Sequence, residues 1–164
     1  MAGRRAGGPE GKRMTRILVD ADGCPVKEEA CRVAGRFGLE DILVSNTPLR
    51  LPRGEHVEGV VVRGAFDAAD DWIVEHASAD DVVITADIPL ASRCLKQGCR
   101  VLGPRGEPFT DDRIGEALAD RELFSWLRDL GAMKGGAAPF SQKDRSRFLQ
   151  ALDQAVQALR RRST

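Results

Sequence analysis

Aspartates follow apolar runs at several places in this sequence. Asp20 and Asp22 come directly after the run ILV, one residue apart and just before a glycine. Two like charges at the end of a buried strand repel each other and lose hydration, so they need a cation, a proton or hydrogen-bond donors nearby. The further aspartates of interest are Asp67, Asp70, Asp71 and Asp87. These carboxylates are the first candidates for a functional site.

The elements that position these aspartates alternate in type along the chain. Short apolar runs predict strands at 16–20, 41–45, 57–63, 81–87 and 99–103. Apolar residues at helical spacing predict helices over 25–37, 67–78 and 88–98. Strands that alternate with helices indicate a mainly parallel sheet covered on both faces. We therefore predict an α/β protein with three layers, α/β/α.

After residue 108 the pattern is wholly helical. It predicts helices at about 110–119, 121–130 and 141–161, with a glycine-rich loop over 131–140. Ser141 is a good N-cap for the last helix, and Asp144 and Arg145 are a candidate ion pair. We expect one domain over residues 14–162 that includes this helical C-terminal extension. Residues 1–13 are predicted to be a basic, disordered tail.

Carboxylates from three segments are expected at one edge of the sheet. In an open parallel sheet, ligands bind outside the carboxyl ends of the strands, near the switch in strand order. Asp67 and Asp71 are four residues apart and share a helix face, while Asp70 can also turn inward. Carboxylates gathered in this way, with no histidine or thiol pair beside them, suit Mg²⁺ or Mn²⁺. Such a cation would offset the repulsion between Asp20 and Asp22.

Each group of aspartates also has a structural interpretation. Asp67 is a plausible N-cap, and Asp70 and Asp71 are favourable partners for the dipole of the helix they open. Asp87 could simply cap the helix that starts at Ile88. The Asp-x-Asp-Gly segment has no common structural role, and it lacks the later ligands of an EF-hand loop. The coincidence of the three groups at strand ends favours a functional site.

Composition excludes several other classes of protein. The 25 basic residues balance the 25 acidic ones, so net charge gives no global sign of nucleic-acid binding. The four cysteines lack the spacing of a zinc site and are expected to be buried thiols in a reducing compartment. Only Cys24 lies beside the acidic pair. With no secretory signal and no apolar run of membrane-spanning length, we expect a soluble, cytoplasmic protein without membrane contact.

Five segments, in order, resemble the YaiI/YqxD family of bacterial proteins of unknown function. They are VDADGCPVKEEA, GAFDAADDWIVEHA, DVVITADIPLASRCL, GPRGEPFT and GGAAPFSQKDRSRFLQAL, and the resemblance runs from about residue 16 to 160. The family is placed among PIN-like domains, so the resemblance implies a fold related to metal-dependent ribonucleases. Asp20, Asp87 and the carboxylates at 67–71 occupy positions that match the Mg²⁺ or Mn²⁺ ligands of those enzymes. Asp22 and the Gly-Cys-Pro after it are not general PIN features.

The resemblance implies divalent-metal-dependent hydrolysis of a phosphodiester, with RNA or another nucleic acid as the partner. Thr85 and Ser45 are candidates to position water or phosphate oxygens. The predicted catalytic residues are Asp20, Asp22 and Asp87. The predicted metal ligands are Asp20, Asp67, Asp71 and Asp87. The predicted phosphate contacts are Arg63, Arg105, Lys134, Lys143 and Arg145.

Two other functions remain open from the sequence. ILVDADGC also resembles the first motif of haloacid-dehalogenase-type phosphatases, which implies Asp20 as nucleophile and Asp22 as general acid. That chemistry needs a lysine or arginine before the fourth strand, and residues 47–80 contain no lysine, so only Arg63 could substitute. The third candidate is a nucleic-acid-binding protein without turnover. No pattern specifies a protein partner or an oligomeric state.

Overall fold

A five-stranded, wholly parallel sheet forms the centre of the protein. The computed structural model describes residues 14–129 and 139–162. The strands are β1 (Arg16–Asp20), β2 (Glu40–Ser45), β3 (Val57–Val61), β4 (Val82–Ile84) and β5 (Arg100–Leu102). Their order across the sheet is β3-β2-β1-β4-β5, so β1 and β4 are neighbours. The predicted parallel sheet is confirmed.

Helices connect the strands, except for β2 and β3, which a loop joins, and further helices follow the last strand. They are α1 (Lys27–Phe37), α2 (Ala68–His76), α3 (Ile88–Lys96), α4 (Asp111–Asp129) and α5 (Gln142–Arg162). The predicted α/β fold with a helical C-terminal part is confirmed. Ser141 caps α5 as predicted, because its hydroxyl accepts a hydrogen bond from the backbone N–H of Asp144 at 3.1 Å. The Asp144 carboxylate accepts one from the backbone N–H of Ser141 in return, at 2.9 Å.

Several predicted elements differ in extent from those in the structure. The helices predicted at 110–119 and 121–130 are one continuous helix, α4. Asp120 is exposed and no glycine or proline adjoins it, so the helix has no reason to end there. β4 is shorter than predicted, because the chain leaves the sheet after Ile84. The predicted tail at 1–13 and most of the glycine-rich loop at 131–140 lie outside the described residues.

Side chains alternate between the two faces of the sheet and so divide the core in two. Ile17 and Val19 of β1 face α1 and α5, where they share one hydrophobic cluster with Val33 and Phe148. Leu18 faces the opposite side, in a second cluster to which α2, α3 and α4 contribute. The layers are therefore α1 and α5, then the sheet, then α2, α3 and α4. α5 packs within the first cluster, on the same core as β1.

Two buried aspartates lie at the amino-terminal edge of the sheet, opposite to the predicted site. Asp81 accepts hydrogen bonds from the Arg16 guanidinium at 2.9 Å and from the backbone N–H of Ser78 at 2.9 Å. Asp41 is 0% exposed, and neither of its carboxylate oxygens has a hydrogen-bond partner among the described residues. Burial raises the pKa of Asp41 to about 7. The negative charge of Asp81 is thus offset by a cation and hydrogen-bond donors, whereas Asp41 has no such partner among the described residues.

The cysteines are free thiols, and Cys31, Cys94 and Cys99 are buried, as the sequence predicted. Within residues 14–129 and 139–162, none of the helices has both the length and the apolar character to span a bilayer.

Candidate active site

The strand order creates a crevice between the carboxyl ends of β1 and β4. From β1 the chain runs through α1 to β2 and β3 on one side, and α2 then carries it across to β4 on the other. Ligands of open α/β sheets bind at such a switch point, because the connecting helices diverge there. Asp20 is the last residue of β1, and Thr85 directly follows β4.

A cavity of about 400 Å³ opens at this point. Four aspartates line it, from the end of β1, the loop after it, the first turn of α2 and the loop after β4: Asp20, Asp22, Asp70 and Asp87. The cavity is also lined by Cys24, Asn46, Phe66, Thr85 and Pro104. No lysine or arginine is among the lining residues that the structure describes. The described lining of the cavity is therefore acidic, without a cationic side chain.

Asp20 carries the least compensated charge of the cavity. Its Oδ2 accepts a hydrogen bond from the Thr85 hydroxyl at 2.7 Å. Burial, together with the charges of Asp70 and Asp87, raises the pKa of Asp20 to about 6, although the Thr85 hydrogen bond opposes this shift. The Thr85 hydroxyl also accepts from the backbone N–H of Asp87 at 2.9 Å. Thr85 thus links the ends of β1 and β4 through one oxygen.

Asp22 is surrounded by donors instead. Its carboxylate accepts hydrogen bonds from the Ser45 hydroxyl, from the Thr47 hydroxyl at 3.2 Å and from the backbone N–H of Asn46 at 2.9 Å. Burial opposes the ionised form, but these hydrogen bonds and the charge of Lys27 hold the pKa of Asp22 below its ordinary value. The close spacing of Asp20 and Asp22 is thus compensated on the Asp22 side by hydrogen-bond donors.

The helix α2 turns Asp70 toward the cavity. Ala69 and Ile73 are buried against the sheet, which sets the rotation of α2 and leaves Asp70 on the lining. Burial and the charge of Asp87 raise the pKa of Asp70. Asp71 forms an exposed ion pair with Arg93 of α3 at 2.9 Å. The predicted ligands Asp67 and Asp71 are therefore outside the lining, while Asp70, the alternative within the same group, is part of it.

Asp87 caps the helix α3, which is the structural role that the sequence allowed for it. Its Oδ1 accepts a hydrogen bond from the backbone N–H of Leu90 at 2.8 Å and so caps α3. Asp67 precedes α2 without a hydrogen bond from its side chain to that helix end. The capping bond leaves Asp87 on the cavity wall, where it adds to the charge around Asp20.

The donor set of this cavity fits a hard divalent cation by chemistry and charge. Carboxylate oxygens are the ligands that Mg²⁺ and Mn²⁺ prefer, and the pKa of Asp20, raised to about 6, reports negative charge in need of compensation. In the described part of the chain, no three or more His, Cys, Asp or Glu side chains form a ready cage for a metal. Mg²⁺ is commonly held by one or two carboxylates with water completing its shell, so the cavity suits that mode of binding.

The predicted phosphate-binding residues are dispersed around the site. Arg63 and Lys143 are exposed, and Lys134 lies outside the described residues. Arg105 pairs with Asp144 at 2.8 Å, and Arg145 with Glu29 at 3.2 Å. Each of the two arginines thus already has a carboxylate partner.

The ion pair predicted from the sequence is wrong. Asp144 and Arg145 do not pair with each other, because consecutive residues on a helix point in different directions. Arg145 instead reaches α1, where it also donates to the carbonyl oxygen of Pro25 at 2.7 Å. Both Arg105 and Arg145 lie against the ring of Phe140, with guanidinium carbons 5.6 and 4.9 Å from its centre.

Three other side chains have environments that limit their chemistry. Ser45 and Thr85, which the sequence suggested for positioning water or phosphate, donate their hydroxyl protons to Asp22 and Asp20. Burial raises the pKa of the Cys24 thiol to about 11, so it stays protonated at neutral pH and is a poor nucleophile. These groups shape the cavity and orient its carboxylates.

Sequence reasoning missed two residues of the site, Asn46 and Phe66. The Asn46 side chain donates to the carbonyl oxygen of Phe66 at 2.9 Å and accepts from the backbone N–H of Ala69 at 3.0 Å. It therefore ties the loop after β3 and the start of α2 to the end of β2. The signal that could have found Asn46 is its place directly after a predicted strand, the same position that singled out the aspartates.

The fold and the site together define a three-layer α/β protein with an acidic cavity at its topological switch point. The profile described as "Uncharacterized BCR, YaiI/YqxD family" matches residues 18–158, and the chain belongs to that family.

Similar proteins are found in bacteria under the name UPF0178 protein. The one from Rhodospirillum centenum is 55% identical over 152 residues, which cover 90% of this chain and 99% of the relative. The one from Parvibaculum lavamentivorans is 54% identical over 149 residues, covering 91% and 98% of the two chains. No solved structure matches the chain.

Proposed function

We propose that the protein is a divalent-metal-dependent phosphodiesterase that acts on RNA. The observation that carries this proposal is the convergence of Asp20, Asp70 and Asp87, from three separate segments, on one cavity that no cationic side chain lines among the described residues. Burial, with the repulsion of Asp70 and Asp87 added to it, raises the pKa of Asp20 to about 6. A cation offsets that repulsion and, through it, a phosphate group can approach an otherwise anionic cavity.

The residues of the cavity take distinct roles in this proposal. Asp20 and Asp87 would hold the cation, and Asp70 adds a third carboxylate to the cavity lining. When bound, the cation supplies charge stabilisation at the scissile phosphate and lowers the pKa of water. Thr85 holds the Asp20 carboxylate in place through its 2.7 Å hydrogen bond. Asp22, saturated by three donors, fixes the loop after β1 against the end of β2.

The phosphatase alternative receives less support from the same contacts. A general acid must hold a proton near neutral pH, whereas hydrogen bonds keep the pKa of Asp22 below its ordinary value. The phosphatase mechanism also calls for a lysine or arginine beside the nucleophile, and none lines the described cavity. The resemblance of the sequence to PIN-like domains favours RNA as the substrate.

The test is an assay of the purified protein with Mg²⁺ or Mn²⁺ on labelled single-stranded RNA and, separately, on a small phosphate monoester. We expect RNA cleavage that EDTA abolishes and that Asp20→Asn and Asp70→Asn each remove. Asp71→Asn is the matched control, because Asp71 lies next to Asp70 but pairs with Arg93 outside the cavity. Its activity should stay close to that of the wild type.

Two outcomes would overturn the proposal. Monoester turnover without RNA cleavage, with a beryllofluoride adduct on Asp20, would establish the phosphatase mechanism instead. Inactivity on both substrates, with no Mn²⁺ bound at millimolar concentration, would favour a protein that binds nucleic acid without turnover.

A further inference from the structure

Phe66 is an aromatic side chain exposed at the rim of the acidic cavity. It is 95% exposed, the highest value among the large hydrophobic side chains of the described residues, and it lines the cavity together with Asp20 and Asp70. A phenylalanine normally gains stability by burial, so an almost fully exposed ring beside a candidate active site needs an explanation.

The exposure of the ring does not come from a loose loop. The Asn46 side chain donates a hydrogen bond to the backbone carbonyl of Phe66 at 2.9 Å. It also accepts one from the backbone N–H of Ala69 at 3.0 Å. On the other side, the N–H of Val62 donates to the carbonyl of Ser45 at 2.8 Å. Asn46 also donates its own N–H to Asp22. The ring is therefore carried by backbone that is fixed to the cavity itself.

An exposed aromatic ring on the rim of the proposed phosphate-binding cavity suits a nucleobase. Every base has an apolar π-face, and stacking on an aromatic side chain is a common way of holding unpaired bases. Arg63, three residues earlier on the same loop, is exposed and forms no ion pair within the described part of the chain. It does not line the cavity, and an exposed arginine there can contact a phosphate of a bound strand outside it.

We propose that Phe66 is a substrate-positioning residue that stacks on an unpaired base next to the phosphate held at Asp20 and Asp87. This inference rests on the proposed action on RNA and adds that the substrate is single-stranded at this point. A base within a duplex is already stacked on both faces, so only an unpaired base can use the ring.

The experiment measures binding rather than cleavage. Fluorescence anisotropy in Mg²⁺ follows a short single-stranded RNA with phosphorothioate linkages, which resist hydrolysis. Phe66→Ala should weaken binding by roughly 5- to 150-fold, the range for loss of one base–aromatic stack. Phe66→Trp should restore it and should show quenching of the new tryptophan by the RNA. Leu123→Ala removes another exposed apolar side chain, 50% exposed and away from the cavity lining, and should have no effect.

A second RNA, abasic at one position, makes the test specific to stacking. Removal of the base that stacks on Phe66 should weaken RNA binding to the wild type. The same removal should not weaken binding to Phe66→Ala, because both changes remove the same contact. Equal loss in the two proteins would overturn the proposal, as would binding of fully duplex RNA as tight as that of the single strand. A change of oligomeric state in Phe66→Ala with unchanged RNA binding would instead assign the ring to a protein interface.

The result separates this inference from the proposed function. If binding at Phe66 depends on the base but the wild type does not cleave RNA, the proposed nuclease activity is wrong and the stacking role of Phe66 stands. If the wild type cleaves RNA and Phe66→Ala has an unchanged KM, the proposed nuclease activity stands and the stacking role of Phe66 is wrong.

Discussion

Thr85 and Asp20 are joined by a hydrogen bond of 2.7 Å between the neighbouring strand ends β4 and β1. The hydroxyl donates to Oδ2 of Asp20 and accepts from the backbone N–H of Asp87, so both of its hydrogen-bonding capacities are used. It is the only hydrogen bond among the described residues that lowers the pKa of Asp20. One hydroxyl group therefore favours the ionised form of this half-buried carboxylate, against burial and the neighbouring charges.

Thr85→Val should raise the pKa of Asp20 above its present value of about 6, because the carboxylate loses the donor that favours its ionised form. A hydrogen bond to a charged group contributes about 1.5–3 kcal/mol, so stability above pH 7 should fall by a similar amount. Carbon-detected NMR titration of the aspartate carboxyl groups measures the first effect and urea unfolding the second. Thr85→Ser keeps the hydroxyl and is the control. An unchanged Asp20 titration in Thr85→Val would contradict this account.

Asp20→Asn should stabilise the metal-free protein at high pH. The pKa of Asp20 is about 6 in the folded protein, against about 3.9 in an unfolded chain. The folded state therefore binds more protons between these values, and its stability falls as pH rises toward and through 6. Replacement by asparagine should recover about 1–3 kcal/mol above pH 7 and change little at pH 4.

Mn²⁺ provides the complementary measurement on Asp20→Asn. A cation that binds only the folded protein raises the melting temperature by mass action, so the wild type should gain stability in Mn²⁺ and the variant should not. An equal gain in both proteins would mean that Asp20 is not a ligand.

Asp70 and Asp71 should differ in their effect on metal binding, although they are adjacent. Asp70→Asn removes a carboxylate from the cavity wall and should weaken Mn²⁺ binding measured by calorimetry or electron paramagnetic resonance. Asp71→Asn breaks only an exposed ion pair with Arg93 and should cost less than about 1 kcal/mol of stability, with Mn²⁺ affinity unchanged. The reverse order of effects would restore Asp71 as the ligand from this helix.

Asp41→Asn should stabilise the protein above pH 7 and not at pH 4. Because burial raises the pKa of Asp41 to about 7 and both oxygens lack partners, its ionised form costs stability that the protonated form does not. The expected gain at pH 8 is about 2–4 kcal/mol. It is measured as the difference in unfolding free energy between variant and wild type across pH, which cancels the contribution of Asp20.

Asp81→Asn is the matched control, since Asp81 is equally buried but paired with Arg16. Its replacement should destabilise the protein at pH 8 by about 3–5 kcal/mol, because a buried cation loses its partner. If Asp41→Asn and Asp81→Asn change the unfolding free energy at pH 8 in the same direction, the contrast between the paired Asp81 and the unpaired Asp41 is wrong.

Much of the fold, and the place of the site, follow from residue patterns. The runs that end at Asp20 and before Asp87 predicted parallel strands, and the geometry of parallel sheets then placed both residues at one edge. The contribution of α2 was harder to specify. Asp67, Asp70 and Asp71 have spacings that share a helix face, and only the packing of Ala69 and Ile73 on the sheet determines which carboxylate points inward.

The exposure of Phe66 lay beyond sequence reasoning for a different reason. An aromatic residue in sequence is most often assigned to a core, and its exposure depends on the path of a loop that no periodicity describes. That path is set by tertiary hydrogen bonds from Asn46, whose partners Phe66 and Ala69 are more than 19 residues away. Long-range contacts between polar side chains and backbone leave no periodic signal.

The position of α5 in the first hydrophobic cluster has a consequence for biosynthesis. β1 is made first, yet Ile17 and Val19 are covered on that face by Phe148 and Leu152, which the ribosome adds more than 120 residues later. A nascent chain without these residues can pair its strands but leaves part of an apolar sheet face open to water. Emerging chains should therefore be substrates for chaperones until the last helix has left the ribosome.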